Sequence, residues 1–152
     1  LFLFIFVKTK NIFMYEIIQK LHSGWAYLAV LLVVIAVINS IIGLVSKKEY
    51  KDTDKKIGLY ALGAIHTQVV IGILVYFVSP LGLSGFSMSD SALRLTSMEH
   101  PLMNIIGIVL MTIGWVKHKK QESSESKFKT VTIYYGLGLL LILSRIPWGL
   151  WF

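Results

Sequence analysis

Apolar residues fall along this chain in four long runs that short polar segments separate. The runs cover residues 25–45, 57–78, 101–116 and 131–146. A helix needs roughly 20 apolar residues to cross the hydrocarbon core of a bilayer. The third and fourth runs reach this length as 98–117 and 128–147 when interfacial and snorkelling side chains are counted. The pattern therefore predicts an all-α fold, an integral membrane four-helix bundle.

Composition agrees with this pattern and suggests one domain. Of the 152 residues, 55% are hydrophobic and 15% are charged, whereas soluble domains carry about 25% charged residues. We expect residues 14–152 to form a single four-helix transmembrane domain. Residues 1–13 lack an initiator methionine and precede Met14, which begins a segment typical of a natural start. We expect residues 1–13 to be a spurious or flexible extension, without a function.

The distribution of positive charge predicts the orientation of the helices. The formal net charge is +7, but ten of the lysines lie in the two segments 47–56 and 117–129. Short cytoplasmic loops of membrane proteins carry an excess of lysine and arginine. We therefore predict a multi-pass protein of the bacterial cytoplasmic (inner) membrane, with these two loops cytoplasmic and both termini outside. The basic loops indicate contact with anionic lipid and no binding to nucleic acid.

The absence of cysteine limits the chemistry that the chain can support. Disulfides, iron–sulfur clusters, thiolate ligands and covalent c-type haem attachment all need the cysteine sulfur, and the chain has none. Any metal must therefore be held by histidine, methionine, carboxylate or amide ligands. No glycine-rich phosphate loop or Ser-His-Asp pattern is present, which argues against conventional soluble enzymes.

Four histidines are the main candidates for binding a metal or cofactor. His118 lies in the basic segment KHKK and is predicted to be a surface residue. His66 lies in the middle of the second apolar run, where an ionisable group is by default a hypothesis of function. Gln68 and Thr67 are its possible hydrogen-bonding neighbours. The alternative is a neutral, structural His66 bonded to a backbone carbonyl or to a polar side chain such as Asn39.

Depth along the helices indicates which histidines can meet. At about 1.5 Å per residue, His100 lies roughly 13 Å above the centre of its run, and His22 about 20 Å above the centre of the first helix. An upright bundle therefore favours the pair His22 and His100. Helix tilts of roughly 20° would still allow His66 to reach His100.

Three histidines in or near a membrane, without cysteine, suggest a b-type haem held between helices. Arg94 and Arg145, the only arginines of the chain, fall on the same side as His22 and His100 and could neutralise the haem propionates. Asn104 and Glu99 could orient the imidazole of His100, although Glu99 also stands at capping-box spacing from Thr96. The alternative is a zinc or copper site, which would combine His22, His100 and Glu99 with Met98 or Met88.

Four segments of the chain together resemble a known family. They are LHSGWAYLAVLLVVIAVINS, IHTQVVIGILVYFVSPLG, ALRLTSMEHPLMNIIGIVLMTIGW and LILSRIPW. They are similar to the small four-helix cytochrome b-like integral membrane proteins that are common in Bacteroidetes. The resemblance covers nearly the whole chain from Met14 onward. It implies a haem b protein in which His22, His66 and His100 are the candidate ligands.

Three functions follow as expectations. The first is electron transfer within the membrane through haem b, with a quinol or another redox membrane protein as partner. The second is a membrane subunit or accessory protein without haem, in which the histidines are structural. The third is a metal- or haem-dependent membrane oxidase or transporter. The sequence leaves the catalytic residues, the number of haems and the oligomeric state open.

Overall fold

Helices account for almost all of the chain in the computed structural model. It describes residues 13–150 in full and, for residues 2–12, the backbone alone. The helices are α1 (Phe2–Val45), α2 (Asp52–Val78), α3 (Ser91–Arg94), α4 (His100–Lys119) and α5 (Ser124–Ser144). A 3₁₀ turn (Leu83–Gly85) precedes α3, a π-helical turn (Leu95–Glu99) joins α3 to α4, and a second 3₁₀ turn (Trp148–Leu150) follows α5. No strand occurs in this part of the chain, so the all-α prediction is confirmed.

Four helical segments of the described chain are long and apolar enough to cross a bilayer. They are Phe13–Val45, Asp52–Val78, Ser91–Lys119 and Ser124–Ser144. Each contains one of the four apolar runs or most of it. The prediction for residues 1–13 falls almost entirely outside the residues described in full, and it stays a prediction.

α2 and α5 begin earlier than the second and fourth apolar runs, to which they correspond. α2 starts at Asp52 and not at residue 57, and α5 starts at Ser124 and not at residue 131. Polar groups at both starts satisfy backbone donors that a first helical turn leaves without partners. The Ser123 side chain accepts a hydrogen bond from Ser126 N, and Asp54 Oδ2 accepts one from Lys51 N. Each helix therefore extends into its polar loop.

The four long helices form a bundle in which α1 and α4 occupy opposite corners. α1 packs against α2 and α5, and α4 packs against the same two helices. Small residues allow close approach, as is usual between membrane helices. A Cβ on Gly107 would lie 2.9 Å from Gly138 O, so α4 and α5 touch through their backbones here. The core consists of small and branched apolar side chains around the buried Tyr135 and Met111.

Both short connections, residues 46–51 and 120–123, lie at one end of the bundle, which we call the basic end. Tyr50 N, in the first connection, donates at 3.0 Å to Oγ of Ser124, the residue that follows the second connection. Asp54 is 5% exposed and accepts hydrogen bonds from Asn39 Nδ2, Lys48 Nζ and Lys51 N. Asn39 is therefore a partner of Asp54 and does not approach His66. Burial and the nearby Asp54 carboxylate raise the pKa of Tyr50 to about 12.

His118 is buried at the basic end, and the prediction of a surface residue is wrong. It is 2% exposed, and its Nδ1 lies 2.6 Å from Trp115 O. Its ring packs against Trp115, with ring centres 4.4 Å apart, and against Tyr50 at 5.8 Å. The reason is helical periodicity. His118 lies one and two turns after Gly114 and Met111 on the face of α4 that points into the bundle.

Candidate functional site

His22 and His100 lie together at the end of the bundle opposite the basic end, which we call the arginine end. The two imidazole ring centres are 6.3 Å apart, and the ring planes are nearly perpendicular at 84°. His22 belongs to α1 and His100 is the first residue of α4. Because α1 and α4 occupy opposite corners, the space between the rings lies near the axis of the bundle. The structure thus brings together the pair that the depth argument favoured.

The separation of the two rings suits a shared metal ion. Two imidazoles that share one metal ion each bind it through a nitrogen at about 2 Å, so their ring centres lie several ångströms apart. Aromatic rings that pack edge to face also have centres at about 4.5–7 Å. The distance therefore accommodates a metal between the rings, and it is equally compatible with simple packing.

A cavity opens beside the two histidines. Its volume is about 580 Å³, within the range of roughly 300–1,000 Å³ typical of sites for small molecules and cofactors. Its lining is mostly apolar, and the polar side chains His22, His100, Gln68 and Asn104 are part of it. An apolar cavity with a few convergent polar groups is the usual form of a ligand site.

Hydrogen bonds hold the His100 ring in a defined orientation. Its Nδ1 lies 3.0 Å from Arg145 O. With the proton on Nδ1 this carbonyl accepts it and Nε2 has a free lone pair, and with the proton on Nε2 the Nδ1 atom accepts from Asn104 Nδ2 instead. Asn104 Nδ2 donates to His100 O at 2.7 Å and lies 3.2 Å from Nδ1. The first of these two tautomers is the one that metal-ligating histidines have, in which a backbone carbonyl often accepts from the other ring nitrogen.

His22 is held from the side of α2. Gln68 Nε2 donates to His22 O at 3.0 Å and lies 3.1 Å from His22 Nδ1. One turn further, Gly72 makes room for the ring, since a Cβ at this position would lie 3.1 Å from His22 Cε1. Gln68 was expected beside His66, but it faces His22. A signal was available, because Ala61, Ile65, Gln68 and Gly72 share one face at helical spacing.

Glu99 connects the two arginines at the arginine end. Its Oε1 accepts from Arg94 Nε at 2.9 Å, and its Oε2 lies 3.3 Å from Arg145 Nε. The predicted capping box with Thr96 is therefore wrong. Thr96 lies inside a π-helical turn, and its hydroxyl donates to Ala92 O and Leu93 O. Such turns occur often at functional sites, and here the turn leads directly into His100.

His66 lies apart from the His22–His100 pair. Its side chain is on the exposed outer surface of α2. Its Nδ1 lies 2.8 Å from Leu62 O, and its Nε2 lies 3.4 Å from Thr112 Oγ1. These partners match the structural alternative for His66, a backbone carbonyl and a polar side chain. The hydroxyl of the neighbouring Thr67 donates to Gly63 O and not to the His66 ring.

The zinc or copper site is not found. Among the described side chains, no group of three or more histidine, cysteine, aspartate or glutamate residues could hold a metal ion. The Glu99 carboxylate is engaged by both arginines and is not available as a third ligand. The structure therefore brings together two candidate ligands at this end, His22 and His100.

We compared the chain with protein-family models, with curated proteins and with solved structures, and no match was found. The predicted resemblance to cytochrome b-like membrane proteins therefore stays a prediction. What can be said of function depends on the geometry of the site.

Proposed function

We propose that this chain is an integral membrane protein that binds one b-type haem between His22 and His100 and transfers electrons within the membrane. The observation that carries the proposal is the pair itself. Two imidazoles with centres 6.3 Å apart come from opposite corners of a four-helix bundle and line a cavity of about 580 Å³. Four-helix bundles commonly hold cofactors in this way, between side chains of facing helices.

Each part of the site has a role in this proposal. His22 and His100 would hold the iron, and Arg145 O would accept the proton of His100 Nδ1 and so leave Nε2 free. Arg94 and Arg145 would donate to the haem propionates in place of some of their hydrogen bonds to Glu99, since a propionate is a carboxylate like that of Glu99. The mostly apolar lining of the cavity would exclude water from the haem ring. When bound, a haem supplies a one-electron couple whose potential depends on its axial ligands and its burial.

The proposed orientation places the basic end in the cytoplasm. Both short connections lie at this end, and the segments 47–56 and 117–129 carry ten lysines, which is the bias of cytoplasmic loops. The site at the arginine end then lies near the outer leaflet of the cytoplasmic membrane. A lipid-soluble quinol or a membrane redox protein would be the electron partner, since either can reach a site inside the bilayer. The oligomeric state stays open.

One observation favours the second candidate, a membrane subunit without haem. The Nδ1 atoms of both histidines already lie within 3.1 Å of polar partners in the bundle. Such bonds would also satisfy histidines whose only function is to join helices. The two candidates differ in whether Nε2 of each ring binds iron.

The test is an absorbance spectrum of the detergent-purified protein, oxidised and after dithionite reduction, with a pyridine haemochrome assay for stoichiometry. We expect a b-type spectrum at one haem per chain, with the features of a six-coordinate, low-spin iron. Folded protein that shows no haem bands after incubation with haemin would refute the proposal. In that case the subunit without haem is the better account.

A further inference from the structure

Three lysines without a carboxylate partner meet at the basic end of the bundle. They are Lys55 of α2, Lys119 of α4 and Lys127 of α5, and we call them the lysine cluster. The positive charges of all three act on the buried imidazole of His118, so all three side chains lie near this ring. Like charges repel one another, and gathering them in one place costs free energy unless an anion binds there.

Other lysines of the same end have carboxylate partners. Lys48 Nζ lies 2.7 Å from Asp54 Oδ1, and Lys56 Nζ lies 2.8 Å from Asp52 Oδ2. Within residues 13–150, no ion pair involves a member of the lysine cluster. The two lysine-rich segments of this end hold ten lysines but five carboxylates. The chain itself therefore does not balance the charge of the cluster.

Aromatic rings hold two of the three ammonium groups in place. Lys119 Nζ lies 5.6 Å from the centre of the Trp115 ring, and Lys127 Nζ lies 5.7 Å from the centre of the Tyr50 ring. Both rings pack against His118, with ring centres 4.4 Å and 5.8 Å away. An aromatic face within about 6 Å attracts a cation but does not neutralise it. The two ammonium groups are thus positioned and keep their charge for an external anion.

Lys55 lies close to Lys119 because α2 and α4 approach each other at this end. A Cβ on Gly58 would lie 3.4 Å from Trp115 Cζ3, so the Trp115 ring of α4 lies against α2. Gly58 follows Lys55 by three residues, and Lys119 follows Trp115 by four, so each lysine is about one turn from this contact. Both turns lead toward the basic end. Two cations from different helices therefore flank one groove.

Exposed apolar side chains lie next to these two lysines, toward the middle of the helices. Val116, one turn before Lys119, is 44% exposed, and Leu59, one turn after Lys55, is also 44% exposed. Residues three or four apart lie on the same face of a helix. Each face thus presents a cation at the end of the bundle and an apolar surface beside it. This combination fits a molecule with an anionic headgroup and hydrocarbon chains better than a free phosphate ion.

We propose that the lysine cluster binds the phosphate headgroup of an anionic phospholipid in the leaflet at the basic end. Its ammonium groups donate to the phosphate oxygens, and the acyl chains lie on the exposed apolar faces of α2 and α4. Basic pockets between membrane helices are known to bind such headgroups. The inference assigns to three lysines a contact that the charge distribution predicts only in general. It depends on the membrane-spanning helices of the proposed function and not on its haem.

The experiment is native mass spectrometry of the full chain in a neutral detergent, with added phosphatidylglycerol or phosphatidylcholine. Both lipids carry a phosphate, but the ammonium group of phosphatidylcholine cancels its charge. The test variant is Lys55→Gln/Lys119→Gln/Lys127→Gln. We expect the wild type to retain phosphatidylglycerol in preference to phosphatidylcholine. Each lysine should contribute about fivefold to the affinity, so the triple variant should bind phosphatidylglycerol about 100-fold more weakly.

The control variant is Lys51→Gln/Lys120→Gln/Lys129→Gln. It removes the same charge from three exposed lysines of the same end that lie outside the cluster. Its affinity for phosphatidylglycerol should stay close to that of the wild type. Equal losses in the two triple variants would overturn the proposal, since binding would then depend on total charge and not on a site. If the test variant does not fold, the single variant Lys119→Gln, with an expected loss of about fivefold, takes its place.

Inorganic phosphate serves as a competitor and distinguishes the two sources of the anion. An excess of it should not displace phosphatidylglycerol from the wild type, because it has no acyl chains. Displacement would assign the cluster to free phosphate and overturn the lipid site. A wild type that retains phosphatidylglycerol as expected but binds no haem would refute the proposed function alone. A wild type that binds haem but shows no preference for phosphatidylglycerol would refute this inference alone.

Discussion

Gly72 offers a direct test of whether the position of the His22 ring matters, and Gly72→Ala is the perturbation. A Cβ at residue 72 would lie 3.1 Å from His22 Cε1 and 3.6 Å from Nδ1. Carbon atoms in contact prefer separations of about 3.5–4.0 Å. The ring must therefore move by about 0.4–0.9 Å away from α2, or the helices must separate by this amount.

A shift of this size is large for a metal ligand. Ligands must be held within about 0.5 Å of the productive geometry, and the present spacing of 6.3 Å between ring centres leaves little tolerance for two bonds of about 2 Å. We expect Gly72→Ala to weaken haem binding by about tenfold, which corresponds to about 1.4 kcal/mol. The alanine itself favours a helix by about 1 kcal/mol, so the loss should appear in haem affinity more than in folding.

The assay is a haemin titration followed by absorbance, with Gly63→Ala as the matched control. Gly63 lies on the same helix, and nothing lies within 4 Å of a Cβ built there. This variant should bind haem as the wild type does. Equal affinities of the wild type, Gly72→Ala and Gly63→Ala would refute the reasoning, since His22 would then be free to move without consequence for the site.

Three further predictions separate the site from the rest of the bundle. His66→Ala should leave haem occupancy unchanged in a pyridine haemochrome assay, because the ring lies on the outer surface of α2; a loss of haem would return His66 to the ligand set. His118→Ala should retain its haem but lose about 2–5 kcal/mol of stability in thermal unfolding, since it empties a buried site beside Trp115; an unchanged midpoint would contradict this packing role. Asp54→Ala leaves three donors without their acceptor and should cost about 1–3 kcal/mol in the same measurement; a stability equal to that of the wild type would show that water replaces the carboxylate.

The sequence predicts the helices well because a membrane-spanning helix is recognised from the length and hydrophobicity of one segment, without reference to its neighbours. It also predicts the pairing of His22 with His100, since a rise of about 1.5 Å per residue converts sequence position into depth. Orientation around each helix is harder, because it depends on which neighbours pack on which face. For this reason the sequence predicts a surface position for His118, which is buried, and a place beside His66 for Gln68, which faces His22.

The details of the arginine end could not be read from the sequence. Thr96 and Glu99 stand at capping-box spacing, but a π-helical turn changes the directions of both side chains. Glu99 instead binds both Arg94 and Arg145. Arg145 lies 46 positions after Glu99 in the sequence, so no local pattern encodes this contact. The cap of α3 is Asp90, whose Oδ1 accepts from Leu93 N.

The central claim is that one haem is held between His22 and His100. It is tested most directly by comparing the reduced absorbance spectra of the wild type, His22→Ala and His100→Ala, each incubated with haemin and purified in the same detergent. We predict one low-spin b-type haem per chain in the wild type and the loss of the low-spin spectrum in both variants. A low-spin spectrum that persists in either variant, or no haem bands in the folded wild type, would contradict the claim.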